Sequence, residues 1–268
     1  MIDRIESLSD QRVGDYAHVA DAAWLLEHGL FVAEGRLVVR RLIEGGRFPI
    51  RSLLVTPAAA AALGSTLSAD RHRDLPVYVC EQQILNDLAG FNFHRGCLAL
   101  AKRPFDGVPL DRFAGAHRLL ALEAVGNPDN VGGLFRVAAA FGAGGVLLDE
   151  RSADPLYRKA IRTSMGAALR VPFMTSRAWI DDVRWLQRSG TRIVALTPDA
   201  AATTLQAFAA TVAAEEPLAL LLGAEEPGLS AAALDAADAR VRIPIAPDVD
   251  SLNVVVAAGI ALATLQRP

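Results

Sequence analysis

The sequence lacks the features of a disulfide-rich, metal-binding or membrane-spanning protein. It contains two cysteines, Cys80 and Cys97, which are too few for a disulfide framework and form no metal-ligand pattern. The longest apolar run covers residues 254–265 and is shorter than the roughly 18 residues that span a bilayer. Charged residues stand at positions 3, 4 and 6, where a secretory signal would be apolar. We therefore expect a cytoplasmic protein that binds neither a membrane nor a metal ion.

Lysine is almost absent, and arginine supplies nearly all of the 27 basic side chains. The formal net charge of −3 argues weakly against a nucleic-acid partner. Two stretches are nevertheless basic: residues 36–51 hold five arginines against one glutamate, and residues 151–177 hold six basic residues against one aspartate. Arginine makes planar, bidentate contacts with phosphate, so both stretches are candidates for binding RNA or DNA. A solvated helix face would have the same composition, and this alternative stays open.

The first half of the chain, residues 1–103, is predicted to be a small α/β domain. Short runs of β-forming residues alternate in it with helical patterns. The predicted strands are 31–33, 52–56, 77–80 and 96–101, and the predicted helices are 35–44, 57–63 and 81–88. Residues 104–117 contain two prolines and two glycines and are predicted to form a linker.

The second half, residues 118–268, is also predicted to be α/β. Its apolar runs are typical of a mostly parallel sheet that is buried on both faces, with predicted strands at 119–125, 145–148, 192–196, 218–222 and 239–243. Between the first two strands, Leu134, Val137, Ala138 and Phe141 share one helix face. The last predicted helix, 254–265, is apolar on nearly all sides. Either the domain's own sheet or a partner subunit must therefore cover it.

Three segments of the second half place polar residues just after predicted strands, where open parallel sheets bind their ligands. In residues 123–136 an Asn-Pro turn and a glycine pair precede a helix that carries Arg136, but the glycine spacing is not that of a dinucleotide site, which disfavours an oxidoreductase. In residues 220–230 Gly223 ends a strand and Glu225 follows it. In residues 243–254 Ser251 or Asn253 begins the last helix. Simple helix-capping roles for Glu225, Ser251 and Asn253 remain the alternative.

Together these segments resemble the three motifs of the SpoU/TrmH-type RNA 2′-O-ribose methyltransferases of the SPOUT class. The resemblance covers about residues 115–268 and is carried by Asn127-Pro128-Asp129-Asn130 with Arg136, by Gly223-x-Glu225-x-x-Gly228-Leu229, and by Ile243-Pro244 with Ser251-Leu252-Asn253-Val254. Residues 158–167 also resemble the family's intermediate segment. The chain departs from the family pattern at Glu226-Pro227 and at residues 247–250.

Two stretches of the first half resemble the L30e/L7Ae-like domain with which many members of this family bind RNA. They are residues 31–38, with Glu34-Gly35, and residues 94–100, with His94-Arg95-Gly96. The resemblance implies an RNA substrate-binding domain in residues 1–103.

For the second half, the resemblance implies a Rossmann-like parallel sheet whose C-terminal segment forms a trefoil knot. S-adenosylmethionine would lie in the knot and be held largely by backbone groups. The implied cofactor-binding residues are Leu222, Gly223, Ala224, Ile243, Ser251 and Leu252. The family also implies a homodimer, and the extra RNA-binding domain favours ribosomal RNA over tRNA as the substrate. An inactive RNA-binding scaffold is the alternative function.

The implied chemistry is methyl transfer to a ribose 2′-hydroxyl without a metal ion. The candidate catalytic residues are Asn130, Arg136, Glu225, Ser251 and Asn253. An arginine stays protonated and is a poor general base, so we expect Arg136 to bind the target phosphate and stabilise the developing alkoxide. Asn130 and Asn253 would orient the reacting groups, and Glu225 would fix Arg136 or Asn130. The candidate RNA-binding residues are Arg36, Arg40, Arg41, Arg47, Arg95 and Arg162.

Overall fold

The structure, a computed structural model, describes residues 2–67, 74–90, 96–103 and 107–265. In chain order the strands are β1 (Ile2–Arg4), β2 (Leu30–Glu34), β3 (Ile50–Val55), β4 (Val77–Val79), β5 (Cys97–Lys102), β6 (Arg118–Glu123), β7 (Gly145–Asp149), β8 (Phe173–Ser176), β9 (Arg192–Leu196), β10 (Thr203–Thr204), β11 (Leu218–Gly223) and β12 (Ala239–Arg242). The α-helices are α1 (Ala22–Glu27), α2 (Arg36–Gly45), α3 (Pro57–Leu67), α4 (Gln82–Ala89), α5 (Pro128–Ala140), α6 (Arg158–Thr163), α7 (Trp179–Arg188), α8 (Leu205–Ala209), α9 (Ala231–Ala236) and α10 (Val254–Leu265). Short 3₁₀ helices cover Gln11–His18, Leu110–Phe113 and Ala167–Leu169.

The chain divides into two compact units, Met1–Phe105 with Leu156–Arg170, and Asp106–Pro155 with Val171–Pro268. Residues 107–117 of the predicted linker belong to the second unit, in which Phe113 is fully buried. Residues 156–170, which the sequence placed in the second domain, pack with the first unit. Two non-local ion pairs contribute to this packing, since Arg158 and Arg162 of α6 both bind the buried carboxylate of Glu34 at the end of β2, at 3.2 and 3.3 Å. The segment also buries Ile161 and Leu169.

The first unit is built on a mixed five-stranded sheet with the order β1-β4-β3-β5-β2. Strands β1, β4 and β3 are parallel, and β5 is antiparallel to both β3 and β2. On one side the core includes Tyr16, whose hydroxyl lies 2.9 Å from the buried Ser52 Oγ. The four strands and three helices predicted for this half are present, and the helix predicted at 57–63 continues to Leu67.

The second unit is built on a seven-stranded sheet with the order β10-β12-β9-β11-β6-β7-β8, in which every pair is parallel. The interior strand β6 is buried along its whole length, and in the central strand β11 only the last residue is partly exposed. Burial on both faces explains why these strands read as continuous apolar runs. The α/β class and the parallel sheet predicted from the sequence are confirmed, and the trefoil knot stays a prediction.

The buried Arg118 fixes the direction of the last helix relative to the sheet. Its guanidinium donates to the backbone carbonyls of Glu216 and Leu265, both at 2.8 Å. Burial lowers the pKa of Arg118 from its ordinary value. Because Arg118 begins β6 and Leu265 ends α10, the N-terminus of α10 points toward the opposite edge of the sheet, where the strands end. No helix of the described residues is long and apolar enough to cross a membrane.

Candidate active site

The candidate site lies at the carboxyl edge of the parallel sheet in the second unit. The segments that follow β6, β11 and β12 all start from this edge because the strands are parallel. Asn127 is the N-cap of α5, and its side-chain oxygen accepts a hydrogen bond from the Asp129 N–H at 2.9 Å. Pro128 occupies the first turn, where its missing N–H is tolerated. The cap therefore fixes the start of the helix that carries Asn130.

Three of the predicted catalytic side chains form one hydrogen-bonded cluster. Asn130 Nδ2 donates to Glu225 Oε1 at 3.0 Å, and Asn253 Nδ2 donates to Asn130 Oδ1 at 3.0 Å. Asn253 Nδ2 also lies 3.4 Å from Glu225 Oε1. Asn130 is buried, whereas Glu225 and Asn253 are exposed. We call these three residues the amide–carboxylate cluster.

Asn253 combines the two roles that the sequence left open. Its Oδ1 accepts a hydrogen bond from the Val255 N–H at 2.9 Å, as a capping asparagine does, while its Nδ2 serves the amide–carboxylate cluster. The start of α10 and the cluster are thus fixed by the same side chain.

Arg136 and Ser251 are not part of this cluster. Arg136 is exposed on α5, and neither side chain forms a hydrogen bond or ion pair with a residue that the structure describes. Glu225 therefore fixes Asn130, which is one of the two alternatives the sequence suggested, and the Arg136 guanidinium is left accessible.

The loop of residues 224–230 that follows β11 is closed too tightly to accept a side chain at its start. A Cβ atom on Gly223 would lie 2.4 Å from the carbonyl carbon of Gly228 and 2.5 Å from the Leu229 nitrogen. Gly228 itself has a φ of +82°, which favours glycine. Before this loop Leu222 is buried, and Ala224, Ile243 and Leu252 are partly buried. Together with Gly223 and the exposed Ser251, these residues make up the set for which the sequence predicted cofactor contacts through the backbone.

Two buried carboxylates beside the site were given no role by the sequence analysis. Glu123 and Asp149 are the last residues of β6 and β7, and they are 2% and 4% exposed. Arg151 joins them, with Nε 3.0 Å from Asp149 and Nη2 3.6 Å from Glu123. Asp149 also accepts hydrogen bonds from the Ala124 and Ser152 N–H groups, both at 2.9 Å. The sequence feature that could have pointed to them is an acidic residue at the end of each of two apolar strands.

The described residues contain no cluster of three or more histidine, cysteine, aspartate or glutamate side chains able to hold a metal ion.

Among the predicted RNA-binding arginines, Arg40 and Arg41 of the first unit form hydrogen bonds with its backbone. Arg40 Nη2 donates to the Ala62 carbonyl at 2.9 Å, and Arg41 Nη1 donates to the Met165 carbonyl. These bonds give both side chains a structural role that composition did not reveal.

The other predicted RNA-binding arginines differ in exposure. Arg36 is exposed at the start of α2. Arg47 lies over the Phe48 ring, 5.1 Å from its centre, and burial lowers the pKa of its guanidinium. Arg162 is bound to Glu34 but keeps 41% of its side chain exposed. Arg95 lies outside the described residues.

Comparison with known proteins identifies the family. Residues 117–263, more than half of the chain, match the sequence model of the SpoU rRNA Methylase family. The chain belongs to this family. The motif-based resemblance of residues 115–268 is thereby confirmed, and the amide–carboxylate cluster is formed by residues of all three SpoU motifs.

Named relatives extend the SpoU match over most of the chain. The chain is 40% identical over 232 residues to an uncharacterized tRNA/rRNA methyltransferase of Mycobacterium tuberculosis, and the alignment covers 87% of this chain and 79% of the relative. The chain is 33% identical over 208 residues to the 23S rRNA (guanosine-2′-O-)-methyltransferase RlmB of a Burkholderia species, and the alignment covers 76% of this chain and 78% of that relative.

A solved structure of a relative supports the same SpoU assignment. The AdoMet-bound rRNA methyltransferase of Sinorhizobium meliloti superposes with a TM-score of 0.82 at 25% identity and covers 98% of this chain and 97% of that one. The likeness therefore includes the α/β first half as well as the SpoU domain.

Proposed function

We propose that this SpoU family member transfers the methyl group of S-adenosylmethionine to a ribose 2′-hydroxyl of ribosomal RNA in the cytoplasm. The observation that carries the proposal is the amide–carboxylate cluster of Asn130, Glu225 and Asn253, joined by hydrogen bonds of 3.0 to 3.4 Å beside the tight Gly223 loop. The names of RlmB and of the AdoMet-bound Sinorhizobium protein support the reaction and the cofactor.

The residues beside the Gly223 loop suit this cofactor chemically. S-adenosylmethionine supplies an electrophilic methyl group on a positively charged sulfonium, and the Glu225 carboxylate favours a cation nearby. The backbone of Leu222, Gly223, Ala224, Ile243, Ser251 and Leu252 would hold the cofactor. Backbone recognition requires close approach, and the glycines at positions 223 and 228 permit it.

Arg136 has the central chemical role in the proposed mechanism. Its accessible guanidinium binds a phosphate of the RNA and stabilises the negative charge that develops on the 2′-oxygen. Asn130 and Asn253 orient the reacting groups, Glu225 holds Asn130 by a 3.0 Å hydrogen bond, and the exposed Ser251 precedes Asn253 by two residues. The methyl group moves from sulfur to the 2′-oxygen, and the hydroxyl proton is released to solvent.

The proposed assembly is a homodimer in which α10 contributes to the interface. Its residues Val254, Ala258, Ala261, Leu262 and Leu265 are buried within the second unit, so the domain itself covers one side of the helix. The other side keeps Val256 50% exposed. A second copy of the chain would cover this apolar remainder. Light scattering at micromolar concentration should give the mass of two chains, and the mass of one chain would refute the dimer.

Calorimetry tests the proposed cofactor directly. We expect S-adenosylmethionine or S-adenosylhomocysteine to bind with a dissociation constant in the micromolar range, about −8 kcal/mol, and a chelator to leave this affinity unchanged. Failure to bind either compound, with or without ribosomal RNA, would refute the proposed function.

A further inference from the structure

One buried residue, Glu123, is paired with both ends of the loop of residues 224–230: its backbone with one end and its carboxylate with the other. The backbone of Glu123 pairs in register with Gly223, the residue before the loop. Its side chain accepts two hydrogen bonds from Ser230, the last residue of the loop: the N–H donates to Oε2 at 2.8 Å, and Oγ donates to Oε1 at 2.7 Å. A single residue therefore sets the distance between the two ends of the loop.

The surroundings of Glu123 are arranged to hold its side chain in place. The residue is 2% exposed, and a buried carboxylate is stable only when its oxygens are hydrogen-bonded or paired with a cation. Ser230 supplies two hydrogen bonds, and the Arg151 guanidinium lies 3.6 Å from Oε1. Ser230 Oγ also caps α9 by accepting from the Ala233 N–H at 3.2 Å, which fixes the serine rotamer.

The rest of the loop is held by few side-chain contacts. Between the two anchors, Glu225 bonds to Asn130 and Asn253, while Glu226 and Pro227 are exposed. If Ser230 were released, the loop would sample more conformations. Cofactor binding would then have to order it again, which weakens affinity.

We propose that Glu123 is a positioning residue, which holds the 224–230 loop in the conformation that binds the cofactor and presents Glu225 to Asn130. The inference rests on the proposed function, because it assigns this loop to cofactor binding. Glu123 touches neither the cofactor nor the RNA. It acts through Ser230.

The test compares variants of Glu123 by calorimetry with S-adenosylmethionine and by thermal melting of the full chain. Glu123→Ala removes both bonds to Ser230 and should raise the dissociation constant roughly tenfold, since loop ordering then accompanies binding. Glu123→Gln keeps an oxygen to accept from the Ser230 N–H and an amide to donate to Ser230 Oγ. It should remain within about threefold of wild type. With ribosomal RNA as substrate, Glu123→Ala should raise KM for the cofactor more than it lowers kcat at saturating cofactor.

Glu34→Ala is the matched control. Glu34 is also a buried glutamate that ends a strand and pairs with arginines, but it belongs to the first unit. It should lower the melting temperature while the cofactor dissociation constant stays within about twofold of wild type. Equal losses of affinity in Glu34→Ala and Glu123→Ala would show a general effect of stability and overturn the inference.

The remaining outcomes separate this inference from the proposed function. A wild-type protein that binds no cofactor contradicts the proposed function itself. If the wild type binds and Glu123→Ala binds within twofold, or if Glu123→Gln is as weak as Glu123→Ala, the positioning role is wrong. If Glu123→Ala does not fold, Ser230→Ala, which keeps the backbone bond to Glu123, replaces it. That variant should weaken binding about threefold, and unchanged affinity would overturn the inference.

Discussion

At the scale of single residues, Asn130 connects the other two members of the amide–carboxylate cluster. It donates to Glu225 and accepts from Asn253, which lie 95 and 123 positions away in the sequence. The sequence left the partner of Glu225 open between Arg136 and Asn130 and predicted no bond between Asn130 and Asn253, because pairing over such separations depends on the order of the strands in the sheet. The same reason explains why Glu123 received no role from the sequence: its partner Ser230 lies 107 positions away.

The loss of Arg136 should remove catalysis without affecting folding. Its side chain is exposed and bonds to no described residue, so Arg136→Ala should leave the melting temperature and cofactor affinity unchanged. Methyl transfer to RNA should fall by about 10²–10³-fold, the usual cost of removing a preorganised charge-stabilising donor. Arg184→Ala, which removes an exposed arginine from α7, serves as the control and should keep its activity. Activity of Arg136→Ala within threefold of wild type would refute the assignment.

The cluster also makes a pH-dependent prediction for Asn130→Asp. The new carboxylate would face Glu225 at about the 3.0 Å now spanned by the hydrogen bond, and two adjacent carboxylates raise the pKa of one of them. A raised folded-state pKa gives stability that is present at low pH and lost as pH rises through that pKa. Thermal melts should therefore show that the variant loses more stability relative to wild type at pH 8 than at pH 5. The difference between the two pH values should be on the order of 2 kcal/mol in the free energy of unfolding.

Asn127→Asp is the control for this pH effect. A carboxylate is favoured at the N-cap of α5, so no deficit should develop at high pH. Equal deficits of Asn130→Asp at both pH values would show that Asn130 and Glu225 are not neighbours in solution.

At the scale of elements, the sequence predicted the strands that are buried on both faces and missed the elements that depend on distant partners. The strands predicted at 192–196 and 218–222 agree with β9 and β11 because long apolar runs determine them locally. By contrast, β1 has three residues and is a strand only through its pairing with β4. The glycine pair expected to precede the helix lies inside α5, and packing against a distant partner explains Gly133, on which a Cβ would lie 2.7 Å from Val255 of α10.

The tight loop after β11 predicts that Gly223→Ala disrupts the site. The added methyl group would lie 2.4 Å from the Gly228 carbonyl carbon, and backbone cannot yield as a flexible side chain can. We expect a loss of about 1–3 kcal/mol in stability, seen in thermal melts, together with loss of measurable cofactor binding. Gly64→Ala is the control, since a Cβ there meets nothing within 4 Å in α3, and it should stabilise the protein by up to about 1 kcal/mol. Normal cofactor affinity in Gly223→Ala would contradict the assignment of this loop.

At the scale of the whole molecule, the two-unit organisation was predictable but the chain path was not. Alternating strand and helix patterns on either side of a linker predicted two α/β halves, whereas nothing local predicted that residues 156–170 pack with the first unit, where Arg158 and Arg162 bind Glu34. That pairing accounts for part of the basic character of residues 151–177. Local charge counts therefore overestimate the number of arginines available to RNA.

Arg36, an exposed arginine of the first basic stretch, should still contribute to RNA binding. Because Arg36 is exposed, Arg36→Ala should weaken RNA binding and reduce the slope of log K against log salt by roughly one unit, as expected for one lost phosphate contact. Filter binding at several salt concentrations measures this slope. Arg4→Ala removes a 71% exposed arginine outside the stretch and should leave the slope unchanged. An unchanged slope in Arg36→Ala would show that Arg36 makes no phosphate contact and only forms part of a solvated helix face.

The central claim is ribose 2′-O-methylation of ribosomal RNA, and mapping 2′-O-methyl groups on total RNA from a deletion strain tests it most directly. We predict that the deletion removes a 2′-O-methyl group from ribosomal RNA, that the wild-type gene restores it, and that the Arg136→Ala gene does not. Loss of a methyl group from tRNA instead would correct the substrate but keep the chemistry. The account would be contradicted if the deletion left the methylation of all RNA unchanged and the purified protein transferred no methyl group to RNA from that strain.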